Sequence, residues 1–114
     1  MHVKRFTDAK PYEAPNHFDM RALRLQGFEP NSSTNFWVGL SHILPGGRAG
    51  PDATPIEKVY VVLSGHVTVT AGGEEVVLGP YDSVRLAPNE ERKVLNASNE
   101  VATMLVVLPY PEKK

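Results

Sequence analysis

The segment from Ile43 to Val69 constrains the fold more than any other part of the chain. Within it, residues 59–63 read Val-Tyr-Val-Val-Leu, a β-branched and aromatic run that is too short for a helix. A Gly- and Pro-rich segment precedes this run, and the turn pair Ser64-Gly65 follows it. The next residues, His66 to Thr70, alternate in polarity as a half-buried strand does. The segment therefore predicts two short strands joined by a tight turn.

Similar short strands, separated by turn residues, recur along most of the chain. Together with nine Gly and ten Pro in 114 residues, they predict one all-β domain, a barrel or a sandwich. Residues 1–15 are predicted to be an extended arm that lies across a neighbouring strand or a partner subunit, and residues 111–114 are a polar tail. The predicted strands cover residues 17–26, 35–44, 57–63, 66–70, 74–78, 83–86, 92–96 and 103–108.

Composition excludes several classes of function. The formal net charge of -1 favours neither nucleic acid nor an acidic membrane surface as a partner. The chain has no cysteine, which excludes disulfides and thiolate chemistry and fits a reducing cytoplasm. Its first residues, MHVKRF, lack the apolar run of a signal peptide, and its longest apolar runs have the length of strands. We expect a soluble, cytoplasmic protein.

The central segment resembles the first motif of the cupin family, which are small β-barrels. That motif reads G-x5-H-x-H-x3-4-E-x6-G. Anchored on Gly46 and Gly65, this sequence keeps the motif's spacing but not its chemistry. Asp52, Thr54 and Lys58 occupy the positions of the two histidines and the glutamate.

The second cupin motif, G-x5-P-x-G-x2-H-x3-N, can be anchored on Asn96 and then places Arg92 at the position of the third histidine. Asn96 alone matches this motif by identity. The resemblance covers about Trp37 to Leu108 and implies a double-stranded β-helix, or jelly-roll, barrel over residues 16–110. It also favours a strand over residues 17–26, where helix propensity alone permits a helix. It does not fix an activity, because one fold hosts many functions.

The resemblance does not extend to the cupin metal site. Such a site needs convergent His or carboxylate ligands, and two of the four corresponding residues are cations that repel a divalent metal. We therefore expect no metal and no other cofactor. The alternative is a relocated site built from Asp52, Glu57, His42 and His66. Adjacent residues of a strand face opposite ways, so Lys58 and Glu57 cannot both point inward, and a register slip of one residue would exchange them.

If the interior is arranged as in cupins, Lys58 and Tyr60 point inward from one strand and Arg92 from another. Arginine can bind a carboxylate or phosphate through two parallel hydrogen bonds, lysine adds a point charge, and both stabilise a developing oxyanion. We predict Lys58, Arg92 and Asp52 as substrate-binding residues and Tyr60 as a hydrogen-bond donor or acid. The alternative is that both cations form salt bridges with neighbouring carboxylates, namely Asp52, Glu57, Glu90 or Glu91.

Histidine is the usual general base in enzymes. His42 lies two residues before the predicted strand end at Leu44, and we predict it as the catalytic base. The alternative is a half-buried histidine bonded to a backbone carbonyl. His17, at the start of an early predicted strand, either reaches the pocket or caps the barrel.

Three functions follow as hypotheses. The first is a metal-independent isomerase or lyase that acts on a small carboxylate or an enolisable metabolite. The second is a non-catalytic module that binds or senses a small anion. The third is a metal-dependent dioxygenase or decarboxylase with a relocated site. The resemblance also implies a homodimer, with the arm as an exchangeable strand.

Overall fold

The structure, a computed structural model, describes residues 1–110, so the predicted polar tail at 111–114 lies outside the described residues. Nine strands follow a short 3-10 turn at Phe6–Asp8. Within residues 1–110 there is no α-helix, and hence no helix that could cross a membrane. The strands are β1 (Lys10–Tyr12), β2 (His17–Gln26), β3 (Phe36–Asp52), β4 (Lys58–Ser64), β5 (Val67–Ala71), β6 (Glu74–Leu78), β7 (Ser83–Leu86), β8 (Arg92–Leu95) and β9 (Ala102–Pro109).

The strands form one antiparallel sheet in the order β6-β5-β8-β3-β9-β4-β7, with β2 paired to β3 and β1 paired to β2. The sheet curls into a nearly closed barrel, which confirms the predicted all-β jelly-roll class. Apolar side chains on the inner faces of β3 to β9 form the core. Its most deeply buried aliphatic residues include Ile43, Val62, Val67 and Val94.

Strand β3 is longer than predicted. The sequence indicated a strand end at Leu44 and a loop from Arg48, because Pro45-Gly46-Gly47 is a strong turn signal. Instead, β3 continues to Asp52 and changes partners at these residues. On one edge, β2 pairs with β3 both before and after this segment. On the other edge, β9 pairs with β3 up to Ile43, and β8 pairs with it from Arg48. Backbone hydrogen bonds from Gly46 N to Asn96 O (2.8 Å) and from Asn96 N to Gly47 O (2.9 Å) mark the change. The Pro-Gly-Gly segment is therefore a bend inside a strand.

Strand β4 has the orientation that the predicted site requires. Lys58, Tyr60 and Val62 are 5%, 4% and 0% exposed, whereas Glu57 lies on the outer surface. Pairing with β9 on one side and β7 on the other holds this register. The slip that would exchange Lys58 for Glu57 in the interior does not occur.

The N-terminal arm lies on its own chain. Residues 10–12 form β1, which pairs with β2, and β2 in turn pairs with β3, so the segment with helix propensity at 17–26 is a strand. His2 and Lys4 both contact the carboxylate of Glu29, at 3.1 and 2.7 Å. Residues 10–12 of the arm thus lie across a neighbouring strand of the same chain, and the homodimer stays a prediction.

Candidate functional site

A cavity of about 380 Å³ opens inside the barrel, within the usual size range of small-molecule sites. Its wall is largely apolar, and its polar side chains come from a few strands. Strand β4 contributes Lys58 and Tyr60, β8 contributes Arg92, β3 ends at Asp52, and β2 begins at His17. Thr54 also lines it, so the four residues at the cupin motif positions meet in one cavity, as the resemblance implies.

The Lys58 ammonium group is buried and held by a neutral partner. Its Nζ donates a hydrogen bond of 2.7 Å to Thr54 Oγ1. Burial lowers the pKa of Lys58 below 10.5, and the positive charge of Arg92 lowers it further, while Asp52 acts in the opposite direction. The side chain therefore carries a charge that its surroundings only partly compensate.

Arg92 is 5% exposed and bonds to a phenol rather than to a carboxylate. Its Nε donates to Tyr60 Oη at 2.9 Å, and its Nη1 is buried without a hydrogen-bond partner among the described residues. Gly50 makes room for this guanidinium. A Cβ at Gly50 would lie 2.7 Å from Nη1, and the φ of +83° already favours glycine.

Tyr60 is held in its protonated form. Burial raises its pKa above 10.0, and this effect outweighs the attraction of the neighbouring Arg92. Because its oxygen accepts the Arg92 hydrogen bond, its own O–H remains available to a ligand. Tyr60 is therefore suited to donate a hydrogen bond or a proton.

The salt-bridge alternative does not hold among residues 1–110. Asp52 faces Arg92 across the β3–β8 ladder, yet no ion pair joins a carboxylate to Arg92 or Lys58 there. Glu57 pairs with Arg85 on the outer surface instead, and Glu90 accepts a hydrogen bond from the backbone N of Ala87. The two cations thus share a cavity without an ion-paired counter-charge.

His42 does not line the cavity, so the structure corrects the prediction that it is the base. Ser41 points into the cavity, and the alternation of β3 turns its neighbour His42 outward. There His42 Nδ1 lies 3.2 Å from Thr103 Oγ1, and Phe6 of the arm packs edge-on against its ring. The error arose because distance from a predicted strand end does not determine which face a side chain occupies.

His17 lines the cavity. Of the two positions that the sequence left open for it, in the pocket or capping the barrel, the structure shows the first. Its Nδ1 lies 2.6 Å from the carbonyl oxygen of Pro15, which can only accept, so Nδ1 carries the proton and Nε2 carries a lone pair. Burial lowers the pKa of His17 below 6.5, and Arg92 acts in the same direction. The imidazole is therefore neutral near pH 7.

Arg24 also lines the cavity, although no motif in the sequence points to it. Its guanidinium carbon lies 4.0 Å from the ring centroid of Phe28, 4.5 Å from that of Tyr12 and 5.4 Å from that of Trp37. The arm and the β2–β3 turn bring these rings together. Only the inward parity of β2 could have indicated Arg24 from the sequence.

A family model described as Cupin domain matches residues 39–108, more than half of the chain. The chain belongs to the cupin family. A protein named beta-D-galactosidase Rv1717, from Mycobacterium tuberculosis, is 45% identical over 111 residues, which are 97% of this chain and 96% of that protein.

Solved structures show the same fold at low identity. The polyketide cyclase RemF from Streptomyces resistomycificus has a TM-score of 0.84 and 20% identity, over 96% of this chain and 79% of that one. An RmlC-like cupin from Shewanella frigidimarina has a TM-score of 0.81 and 14% identity, over 99% and 94% of the two chains. These similarities concern the fold alone.

The residues of this cupin do not fit a transition metal at the family's ligand positions. A protonated lysine and an arginine offer hydrogen-bond donors and no lone pair, and they occupy two of the four positions. Of the four residues in the alternative relocated site, only Asp52 lines the cavity. Among residues 1–110, no group of three or more His, Asp or Glu side chains is placed to hold a metal ion.

Proposed function

We propose that this cupin binds a small organic anion in the barrel cavity and catalyses proton transfer on it without a metal, as an isomerase or a lyase. The observation that carries the proposal is the burial of Lys58 and Arg92 side by side with no ion-paired carboxylate. Like charges in a site of low polarity repel each other strongly, and a bound anion relieves that repulsion. Cupin membership and the size of the cavity support binding of a small molecule.

Each polar residue of the cavity has a distinct role in this proposal. Arg92 binds the carboxylate of the ligand, and Lys58, fixed by Thr54, stabilises negative charge on a neighbouring oxygen. Tyr60 donates its O–H to the same region. Asp52 orients the cations and limits their mutual repulsion.

His17 replaces His42 as the proposed base. Its Nε2 removes a proton from the carbon next to a carbonyl, which leaves an enolate whose oxygen faces the cations. When a double bond is conjugated with this enolate, return of the proton to the remote carbon shifts the double bond and completes an isomerisation. In an elimination, a leaving group departs from the adjacent carbon with the bonding electrons and takes a proton from Tyr60.

Removing one buried cation should weaken anion binding. We expect Arg92→Gln and Lys58→Gln each to weaken binding of monocarboxylates such as hexanoate and benzoate by about tenfold or more. Lys93→Gln is the matched control, because Lys93 is the outward-facing neighbour of Arg92 and should change affinity less than about twofold. Isothermal titration calorimetry measures all three. Equal affinities in the three variants would contradict the proposed anion site.

The identity of the base can be tested by hydrogen exchange. In D2O, the wild type should exchange the protons next to the carbonyl of 2-oxo acids such as pyruvate and 2-oxobutyrate, as followed by proton NMR. His17→Gln should slow this exchange about a hundredfold, and His42→Gln should leave it unchanged.

The pH profile provides a second readout of the same base. Because burial lowers the pKa of His17, the midpoint of the decline in exchange rate at acid pH should lie below 6.5, the ordinary pKa of histidine. The assignment would be wrong if His42→Gln lost exchange activity, or if His17→Gln exchanged as fast as the wild type.

Glycoside hydrolysis is a second candidate, favoured by the 45% identity to the protein named a beta-D-galactosidase. Such hydrolysis ordinarily uses two carboxyl groups, and Asp52 and Glu13 both line the cavity. Under this candidate, Asp52→Asn or Glu13→Gln lowers hydrolysis of 4-nitrophenyl β-D-galactoside about a hundredfold or more. Glu74→Gln, on the exposed β5–β6 hairpin, is the control. Absence of hydrolysis by the wild type, or full activity in both cavity variants, would exclude this candidate.

A further inference from the structure

The guanidinium of Arg24 is a second cationic point on the cavity wall, and Lys58 and Arg92 together are the first. Three aromatic rings surround the Arg24 guanidinium, and its Nε is buried without a hydrogen-bond partner among the described residues. Aromatic rings attract the charge of a guanidinium, but they provide no lone pair for its directional N–H donors. No ion pair joins Arg24 to a carboxylate within residues 1–110. The aromatic rings therefore hold the Arg24 guanidinium in place, but they do not provide hydrogen-bond acceptors for all of its N–H groups.

Pairing across the sheet gives the distance of Arg24 from the first anion site. Arg24 of β2 pairs with Gly39 of β3, Gly39 with Val106 of β9, and Val106 with Tyr60 of β4. Three strand spacings separate the Arg24 and Tyr60 backbones, about 14 Å along the curved sheet. Arg92 bonds to Tyr60, so the two guanidinium groups approach the cavity from separate positions.

The wall between the two cationic points is mainly apolar. Val106 lines the cavity on the row of paired residues that joins them, and Ala22 and Met104 line it on the next inward-facing row. A Cβ at Gly39 would lie 3.0 Å from Tyr12 Oη, Val106 Cγ2 and Trp37 Cζ3, so these side chains already occupy the space over Gly39. A ligand that spans the cavity therefore meets positive charge at both ends and mainly hydrocarbon in the middle.

We propose that the ligand is an elongated dianion, a dicarboxylate with an apolar spacer. One carboxylate binds at Arg92, Lys58 and Tyr60, and the other binds the guanidinium of Arg24 where it lines the cavity. The position of the first carboxylate rests on the proposed function, whereas the second depends on Arg24 alone. The aromatic contacts of Arg24 hold its guanidinium in place before the ligand arrives, which reduces the entropic cost of binding.

A length series of ligands tests this proposal in the wild type. Succinate, adipate, suberate and sebacate are titrated by calorimetry beside the monocarboxylates butyrate, hexanoate, octanoate and decanoate. Affinity for the dicarboxylates should pass through a maximum with length. At that length the dicarboxylate should bind about tenfold or more tightly than its matched monocarboxylate, as one additional charge-assisted interaction implies.

Substitutions then locate the second carboxylate. Arg24→Gln should lower the affinity for the best dicarboxylate about tenfold, to that of its matched monocarboxylate. Arg21→Gln is the control, because Arg21 is exposed on the same strand and should not alter either affinity. Thermal melting monitors the fold of both variants, and if Arg24→Gln does not fold, the wild-type length series decides.

The possible failures are distinguishable. If monocarboxylates bind in an Arg92-dependent way and no dicarboxylate binds more tightly, the second site is wrong and the proposed function stands. A dicarboxylate advantage that persists in folded Arg24→Gln also overturns the second site. If no carboxylate of either series binds, both proposals fail.

Discussion

Two positive charges buried in one cavity without an ion-paired counter-charge are the constraint on which the site depends. Moving an unpaired charge from water into a protein interior costs several kcal/mol, and two like charges add their repulsion. The protein holds them with neutral groups, since Thr54 accepts from Lys58 and Tyr60 accepts from Arg92. Gly50 adds space that any side chain would fill. Under the proposed function, an anionic ligand supplies the missing charge, and its binding should stabilise the folded protein because it relieves the repulsion between the two cations.

The barrel brings these groups together through ordinary strand geometry. Alternation along β4 turns Lys58 and Tyr60 inward, and pairing of β8 with the end of β3 places Arg92 opposite Asp52. The cupin motif positions thus converge, but their side chains donate hydrogen bonds where cupin metal sites offer lone pairs. Under the proposed function, the same scaffold stabilises negative charge directly, which is the electrostatic task that a metal ion performs elsewhere.

Much of the fold could be predicted because short β-branched runs and turn pairs are local signals. The inward parity of β4 followed from motif spacing, and it located Lys58, Tyr60 and Arg92 correctly in the cavity. The continuation of β3 could not be predicted, because a Pro-Gly-Gly bend and a strand end have the same local signature. Only the sheet pairing distinguishes them.

The remaining site residues depend on tertiary contacts. His17 faces the cavity because the pairing of β2 with β3 shifts register between Phe18 and Met20, whereas the alternation of β3 turns His42 outward. Arg24 becomes a cationic point through rings contributed by three separate segments, none adjacent to it in the sequence.

The most direct test of the uncompensated cations is an NMR titration of the Lys58 ammonium group. We predict a pKa below the ordinary value of 10.5 in the wild type. Arg92→Gln should raise that pKa, because it removes the repelling charge, and Asp52→Asn should lower it further, because it removes the attracting one. A Lys58 that titrates at its ordinary pKa, and does not respond to either substitution, would contradict the account.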